Sequence, residues 1–244
     1  MTRLVRAELL KLRTTRLLLW LGVLILALEV LVIALHVAKD SRVSLAGPHH
    51  QRDLVSIAAV SALISLILGL VSSAGEFAHG TIGQTFLVAP VRERVVAAKL
   101  AAAGVAGAVL ALASCAFAWA FAALLLKARS VPIHLASGSS LRIVLGTFLA
   151  AALTGAFGIG LGALLRRQTA AIVIALVWLL VGEPLLGVAN IERYGPGHVV
   201  ASVVEGGNQG SDLLGFGAGL VVAIVYVAVG GLLGADALRR TDIT

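Results

Sequence analysis

The sequence is short of charge and of cysteine. Asp, Glu, Lys and Arg make up 13% of the 244 residues, whereas a soluble domain carries about a quarter. So few charges cannot cover a water-facing surface, which excludes a water-soluble globular protein. The one cysteine, Cys115, can close no internal disulfide, which excludes a disulfide-stapled secreted module. The low polarity also excludes a disordered chain, and glycine lacks the three-residue period of collagen.

Sequence signatures of soluble enzymes are absent as well. No lysine is followed by Ser or Thr or preceded by Gly, so the sequence has no P-loop for ATP. It also has no H-E-x-x-H zinc motif and no G-x-S-x-G nucleophile elbow. We therefore predict that the chain is not an enzyme and has no catalytic residue, metal site or bound cofactor of its own.

Long apolar runs are abundant. Apolar residues make up 59% of the chain, and the mean hydropathy is +1.03. A bilayer core about 30 Å thick requires roughly 20 apolar residues in a helix. The runs do not alternate with period two, which favours a helical bundle over a barrel. We predict an all-α integral membrane protein whose single domain, 1–244, has six transmembrane helices at 17–38, 54–73, 95–126, 143–165, 169–189 and 213–238.

Lysine and arginine are unequally divided between the two sides of this predicted bundle. With the N-terminus inside, twelve of them lie on the inner side and seven on the outer side. Cytoplasmic loops carry the excess of Lys and Arg, so we predict a multi-pass protein with both termini in the cytoplasm. Most of the formal net charge of +7 is then a topology signal, and we predict no nucleic-acid partner.

The first sixteen residues have the pattern of a helix that lies along the inner leaflet. Val5, Leu9, Leu12 and Arg16 fall on one helical stripe, whereas the other arginines lie on another. We predict an interfacial helix over 1–16, with membrane lipid as its partner. The alternative is a solvated basic segment that serves only to set the topology.

Two carboxylic acids, Glu29 and Glu183, lie within the predicted spans. A charged carboxylate inside a bilayer costs several kcal/mol unless it is neutralised, hydrated or partnered, so each is a candidate for the transport path. For Glu29 the alternative is a protonated group hydrogen-bonded to a neighbouring helix. For Glu183 it is a place beside a helix break, because Pro184 follows and lacks an N–H.

The loop between the second and third predicted spans contains a short amphipathic helix. Gly80 permits a turn, Thr81 can cap a helix, and Ile82 and Phe86 then fall one turn apart on the same face. Pro90 ends the pattern. Exposed apolar residues on such a loop indicate a docking surface for a partner, and packing on the membrane surface is the alternative.

The same loop carries a longer pattern, formed by Glu76, Gly80, Thr81, Thr85, Leu87, Pro90, Arg94 and Lys99. This pattern resembles the first cytoplasmic loop of bacterial ATP-binding-cassette (ABC) permeases of the type-2 exporter family. The opening residues 7–16 and the ending 238–242 are similar to those of actinobacterial members.

The resemblance implies a coupling helix over about 76–88, inside a coupling segment at 76–90, and a re-entrant outer helix pair before the last span. It implies a dimer with a second permease copy or paralogue, with the cargo path between the protomers. It also implies a separate ATPase subunit, which would hold ATP and Mg. The residues that would couple the chain to that ATPase are Glu76, Gly80, Thr81, Ile82, Thr85 and Phe86.

These observations together predict the permease subunit of an ABC exporter in the bacterial cytoplasmic membrane. One alternative is a proton-coupled secondary carrier that uses Glu29 or Glu183 and needs no ATPase. Another is a membrane scaffold or immunity protein that transports nothing. The sequence does not distinguish a drug, peptide, lipid or polysaccharide cargo.

Overall fold

The structure is a computed structural model that describes residues 1–88, 91–135, 138–206 and 213–239, without the side chains of residues 84, 86, 88, 138, 139 and 239. These residues form α-helices joined by short turns, and none of them lies in a β-strand. The helices are α1 (Thr2–Thr14), α2 (Arg16–Lys39), α3 (Arg42–Leu45), α4 (Pro48–Ser56), α5 (Val60–Ala78), α6 (Ile82–Val88), α7 (Arg92–Ala128), α8 (Gly138–Leu165), α9 (Gln168–Val177), α10 (Glu183–Val188), α11 (Pro196–Glu205) and α12 (Phe216–Arg239).

Six stretches of helix in the described residues are long and apolar enough to cross a membrane, which confirms the predicted fold class. A 3-10 turn at Ile57–Ala59 joins α4 to α5, and a π-helical turn at Trp178–Gly182 joins α9 to α10, so each of these pairs forms one candidate span. The candidate spans are Arg16–Lys39, Pro48–Ala78, Arg92–Ala128, Ser140–Leu165, Gln168–Val188 and Phe216–Leu238.

Glycines bring the central helices into backbone contact. A Cβ built on Gly158 of α8 would lie 2.9 Å from the Leu70 nitrogen and 3.1 Å from the Gly69 Cα, both on α5. On another face of α8, Gly160 meets the backbone of Gly230 in α12. Small residues allow such close approach, and dispersion contacts then hold the helices together inside a membrane. Helix α8 therefore lies between α5 and α12.

Replacing Gly158 by alanine should loosen this centre. The added methyl group would meet backbone atoms of α5 that cannot rotate away, and overpacking of this kind costs about 1–3 kcal/mol. Gly217, in α12, is the matched control because a Cβ there has open space around it. We expect Gly158→Ala to lower the thermal unfolding midpoint in detergent and Gly217→Ala to leave it unchanged or slightly raised; equal midpoints would contradict the close α5–α8 contact.

One end of the bundle, here called the α11 end, is held by side chains that bond to loop carbonyls. Gln51 is fully buried; its amide nitrogen donates to the carbonyl oxygens of Leu45 at 3.0 Å and Pro132 at 2.7 Å. Its amide oxygen accepts from the backbone N–H of His134 at 2.6 Å. Arg142 of α8 donates to the carbonyl oxygen of Gly206 at 2.8 Å. The loop ends are therefore fixed to the helices at this end.

The opposite end, here called the α1 end, contains α1, the turn before α6, and the last turn of α12. Arg92 donates to the Leu238 carbonyl oxygen at 2.5 Å, and Arg166 donates to that of Ala237 at 2.7 Å. The Arg166 guanidinium also lies 5.8 Å from the centre of the Phe77 ring. These contacts of Arg92 and Arg166 join the start of α7 and the turn after α8 to the end of α12, and they join that turn to the end of α5. The candidate site also lies at the α1 end.

The helix predicted over 1–16 ends earlier in the structure. Thr15 adopts an extended conformation, with φ −77° and ψ 138°, so α1 stops at Thr14 and Arg16 begins α2. The Thr14 hydroxyl donates to the carbonyl oxygen of Leu10 at 2.9 Å, and that of Thr15 to the carbonyl oxygen of Leu12 at 3.0 Å. These bonds stabilise the end of α1, so Arg16 does not share a helix with the stripe of Val5, Leu9 and Leu12.

Candidate functional site

Four charged side chains meet at the α1 end of the bundle and form what we call the charged network. It consists of Glu8 and Lys11 from α1, Glu76 from the last turn of α5, and Lys99 from α7. Two acids and two bases balance one another in charge. The network therefore joins three helices that are far apart in the sequence.

Lys99 is the most deeply buried member of the network. Its side chain is only 4% exposed, and its ammonium group lies 2.8 Å from Glu8 Oε2 and 2.5 Å from Glu76 Oε1. A buried charge is tolerated when it is paired and hydrogen-bonded. Lys99 meets this condition by holding both carboxylates, and it fastens α7 to α1 and α5.

Lys11 extends the network to α6. Its ammonium group lies 2.9 Å from Glu8 Oε1, 3.2 Å from Glu76 Oε1 and 3.4 Å from the Thr85 hydroxyl oxygen. An ammonium group has three hydrogens to donate, and these three oxygens accept them. Thr85 lies on α6, so Lys11 connects that short helix to α1 and α5.

The network shifts the pKa of two groups that lie outside the candidate spans. Burial alone would raise the pKa of Glu8, but the charge and hydrogen bond of Lys99, together with those of Lys11, lower it below its ordinary value. Burial alone would lower the pKa of Lys11, but its hydrogen bond to Glu8 and the charge of Glu76 raise it. Both shifts favour the charged forms, so the ion pairs are intact at neutral pH.

The turn before α6 follows the local sequence. Gly80 has φ +67°, a left-handed conformation that glycine adopts without strain, and it ends α5. The backbone N–H of Thr81 donates to the carbonyl oxygen of Glu76 at 3.0 Å. The segment predicted as one coupling helix is thus divided into the end of α5, this turn, and α6. Pro90, predicted to end the helix, lies outside the described residues.

The structure brings together some of the predicted coupling residues. Glu76 and Thr85 both contact Lys11, whereas Gly80 and Thr81 form the turn between them. Ile82 is half-buried, and the side chain of Phe86 lies outside what the structure describes. Their role in ATPase coupling stays a prediction.

Sequence reasoning did not include Glu8, Lys11 or Lys99 among the candidate site residues. The signal was present, because all three lie in the strings that carry the family resemblance, and Glu8 and Lys11 have the i, i+3 spacing of a helical ion pair. The sequence could not show that Lys99, 91 positions after Glu8, forms a second ion pair with it. That contact requires the packing of α1 on α7.

Glu29 of α2 lies in a separate buried site. Its Oε1 is hydrogen-bonded to the Ser114 hydroxyl of α7, and its Oε2 has no partner. The Ser114 oxygen also lies 3.2 Å from the carbonyl oxygen of Ala58, in the 3-10 turn before α5. A hydroxyl has one hydrogen to donate, so both contacts are hydrogen bonds when Glu29 carries a proton and donates it to Ser114. A place for Glu29 in the transport path stays a prediction.

Glu183 begins α10, and its side chain reaches α11. Its Oε1 accepts a hydrogen bond from the backbone N–H of Gly197, and its Oε2 lies 3.5 Å from His198 Nδ1. The chain accommodates Pro184 by the preceding π-helical turn, and the helix continues to Val188. Glu183 therefore ties the fifth span to α11, and its role in a transport path stays a prediction.

The expected outer helix pair corresponds to a single described helix, α11. The hydroxyl of Tyr226, on α12, donates to the carbonyl oxygen of Tyr194, just before α11 begins. Gly206 ends α11 with φ +67°. Residues 207–212, where a second helix would lie, are outside the described residues.

No group of three or more His, Cys, Asp or Glu side chains with the arrangement of a metal site occurs in the described ranges. The charged network contains two carboxylates, and both are occupied by lysine ammonium groups. The arrangement suits mechanical connection between helices. That the chain holds no metal or cofactor of its own stays a prediction.

Comparison with known proteins identifies the family. Residues 4–182, more than half of the chain, match the family model described as ABC-2 family transporter protein, and no curated protein matches the chain. The matched region includes all four residues of the charged network and confirms the family that the loop pattern predicted; the narrower likeness to actinobacterial members stays a prediction. The chain belongs to the ABC-2 transporter family, as a multi-pass, permease-type membrane component.

Proposed function

We propose that the chain is the permease subunit of an ABC exporter and that α6 and the charged network couple it to a separate ATPase subunit. One observation supports this assignment most directly. Lys11 donates to Glu8, Glu76 and Thr85. Its ammonium group therefore joins the short helix α6 to both α1 and α5.

The surface of α6 supplies a place for the ATPase. Leu87 is 87% exposed at the α1 end, so its apolar side chain is accessible to a partner protein. Membership of the ABC-2 transporter family supports a separate ATPase subunit. We expect ATP and Mg to bind that subunit, and Leu87 to enter its surface.

Movement of α6 then reaches the spans through the network. Thr85 passes the displacement to Lys11, the Thr81–Glu76 hydrogen bond passes it to α5, and Lys99 passes it to α7. Ion pairs with little exposure to water resist separation more strongly than surface pairs. We expect this rigid connection to switch the spans from inward to outward access.

We also propose how the permease is assembled and oriented. The α1 end faces the cytoplasm, since the ATPase and its ATP are there, and both termini lie on that side. Two permease copies, or this chain and a paralogue, enclose the cargo path in the bacterial cytoplasmic membrane.

Replacing Leu87 by aspartate should uncouple the ATPase while the fold is retained. A carboxylate cannot enter an apolar pocket without losing its hydration, so we expect co-purification of the ATPase and ATP-driven transport to fall by about 10-fold or more. Val43, in α3, is the matched control because it is 86% exposed at the α11 end. Val43→Asp should leave both quantities unchanged.

The measurement uses the chain co-expressed with a candidate cassette ATPase and reconstituted in liposomes. Equal behaviour of the two variants would contradict docking through α6. Transport that continued without ATP and followed a proton gradient would favour a secondary carrier instead. A chain that recruited no ATPase and moved no cargo would favour a scaffold or immunity protein.

A further inference from the structure

A cavity that is open to the surface lies where α1 meets α2. Its volume is about 370 Å³, and its lining combines charged, hydroxyl and apolar side chains. The lining residues are Arg13, Thr14, Thr15, Arg16, Leu18 and Leu19. We propose that this cavity binds the phosphate headgroup of an anionic phospholipid, with the lipid's acyl chains along the first span.

The two arginines of the cavity have no partner within the described part of the chain. Arg13 and Arg16 take part in none of its ion pairs or side-chain hydrogen bonds, and the cavity is lined by no acidic residue. The nearest acid in sequence, Glu8, is already occupied by Lys11 and Lys99. The cavity is therefore lined by two arginines whose charge no acid compensates, and guanidinium groups bind phosphate oxygens through paired N–H donors.

The bend places Arg13 and Arg16 on two different helices. The hydroxyls of Thr14 and Thr15 donate back to carbonyl oxygens of α1, so the extended conformation at Thr15 is stabilised without any ligand. Arg13 then extends from α1 and Arg16 from α2. The backbone of the site is therefore formed before its ligand arrives, which reduces the conformational entropy lost on binding.

The apolar part of the lining indicates a lipid rather than a soluble phosphate. Leu18 is half-buried, whereas Leu19 is 62% exposed, and both belong to the candidate span that begins at Arg16. The exposed Trp20 follows directly, and tryptophan is enriched where spans meet the interface. Charge beside exposed apolar surface at the end of a span matches an amphiphile with a negative head.

A lipid bound at this site would also affect α1, the helix that carries two residues of the charged network. The same helix, α1, carries Glu8 and Lys11 on one side and Arg13 on the other. A lipid held by Arg13 and Arg16 would hold the end of α1 at the start of the first span. The binding site does not depend on the proposed function, and its test requires no ATPase.

The test measures lipid binding to the purified chain by native mass spectrometry and thermal unfolding. The probes are phosphatidylglycerol, phosphatidylcholine and inorganic phosphate. The test variant is Arg13→Gln/Arg16→Gln, and the matched control is Arg3→Gln/Arg6→Gln, which removes the same charge from exposed positions of α1 outside the cavity. Circular dichroism checks that each variant retains its helices.

We expect phosphatidylglycerol to bind the wild-type chain and raise its unfolding midpoint more than phosphatidylcholine does. The cavity variant should bind phosphatidylglycerol about 10-fold more weakly, whereas the control should bind it as the wild type does. Equal losses in the two variants would overturn the proposal, because they would show a diffuse attraction of basic residues. The proposal would also be overturned if inorganic phosphate bound the wild-type chain as tightly as phosphatidylglycerol does, because this result would indicate a site for soluble anions.

A single substitution covers the case in which the double variant does not fold. Arg13→Gln keeps the charge of Arg16 at the start of the span, and Arg6→Gln is its control. We expect the first to weaken phosphatidylglycerol binding by about 3-fold or more and the second to have no effect. Identical binding by both single variants would refute a site built on Arg13.

Discussion

Replacement of Lys99 by methionine is expected to produce the largest loss of stability and of ATP-driven transport. Methionine fills a similar volume but leaves Glu8 and Glu76 facing each other with only Lys11 between them. Removal of one partner from a buried ion pair costs about 3–5 kcal/mol, because the remaining charge is uncompensated. We expect a lower unfolding midpoint in detergent and loss of coupling between ATP hydrolysis and transport.

Two comparisons separate this effect from a general loss of positive charge. Lys127→Met removes an exposed lysine from the far end of the same helix, and we expect it to behave as the wild type. Lys99→Met combined with Glu8→Gln restores the charge balance, leaving Lys11 with Glu76, and should recover part of the lost stability. A Lys99→Met variant as stable as Lys127→Met would show that the network does not hold the helices.

Replacement of Ser114 by alanine is the second substitution with a large expected effect. It removes the hydrogen-bond partner of Glu29, which is fully buried. A buried polar group left without a partner costs about 1–3 kcal/mol. The Ala58 carbonyl oxygen keeps its hydrogen bond from the Ser61 hydroxyl at 2.7 Å. The loss of stability therefore arises from the carboxyl group of Glu29, which has lost its partner. We expect a lower thermal unfolding midpoint.

Ser65→Ala is the control for this substitution. Ser65 is also fully buried, but its hydroxyl has no hydrogen-bond partner, so its removal should cost nothing. Ser114→Ala combined with Glu29→Leu removes both partners and should be more stable than Ser114→Ala alone. A double variant less stable than the single one would contradict the hydrogen-bond account of Glu29.

The six spans could be predicted because each depends on length and apolar composition alone. A run such as Leu54–Ser73 is long enough to cross a bilayer whatever its neighbours are, and the structure has a span at Pro48–Ala78. The end of the helix in the basic N-terminal segment, 1–16, was less predictable. The helix ends at Thr14 because Thr15 adopts an extended conformation, which periodicity does not reveal.

The candidate site was predictable only where a single loop contains its residues. Glu76 and Thr85 are close in sequence, so a helical loop brings them near each other. Lys11 and Lys99 reach the same point from other helices, and that meeting is decided by tertiary packing. In the same way, Pro184 indicated an irregular helix around Glu183, but the backbone N–H of Gly197 that bonds to it could not be foreseen.

The glycines of α8 affect how its neighbours can move. Where Gly158 of α8 lies against Gly69 of α5, backbone meets backbone. On the α12 side, the ring of Phe157 lies against Gly230 and stacks on Tyr226, with ring centres 5.7 Å apart. A contact between backbones offers less steric resistance to sliding along the helix axis than interlocked side chains do, and shear motions between packed helices occur in this way. We expect the bundle to change state by axial shear between α8 and α5, with α12 moving together with α8.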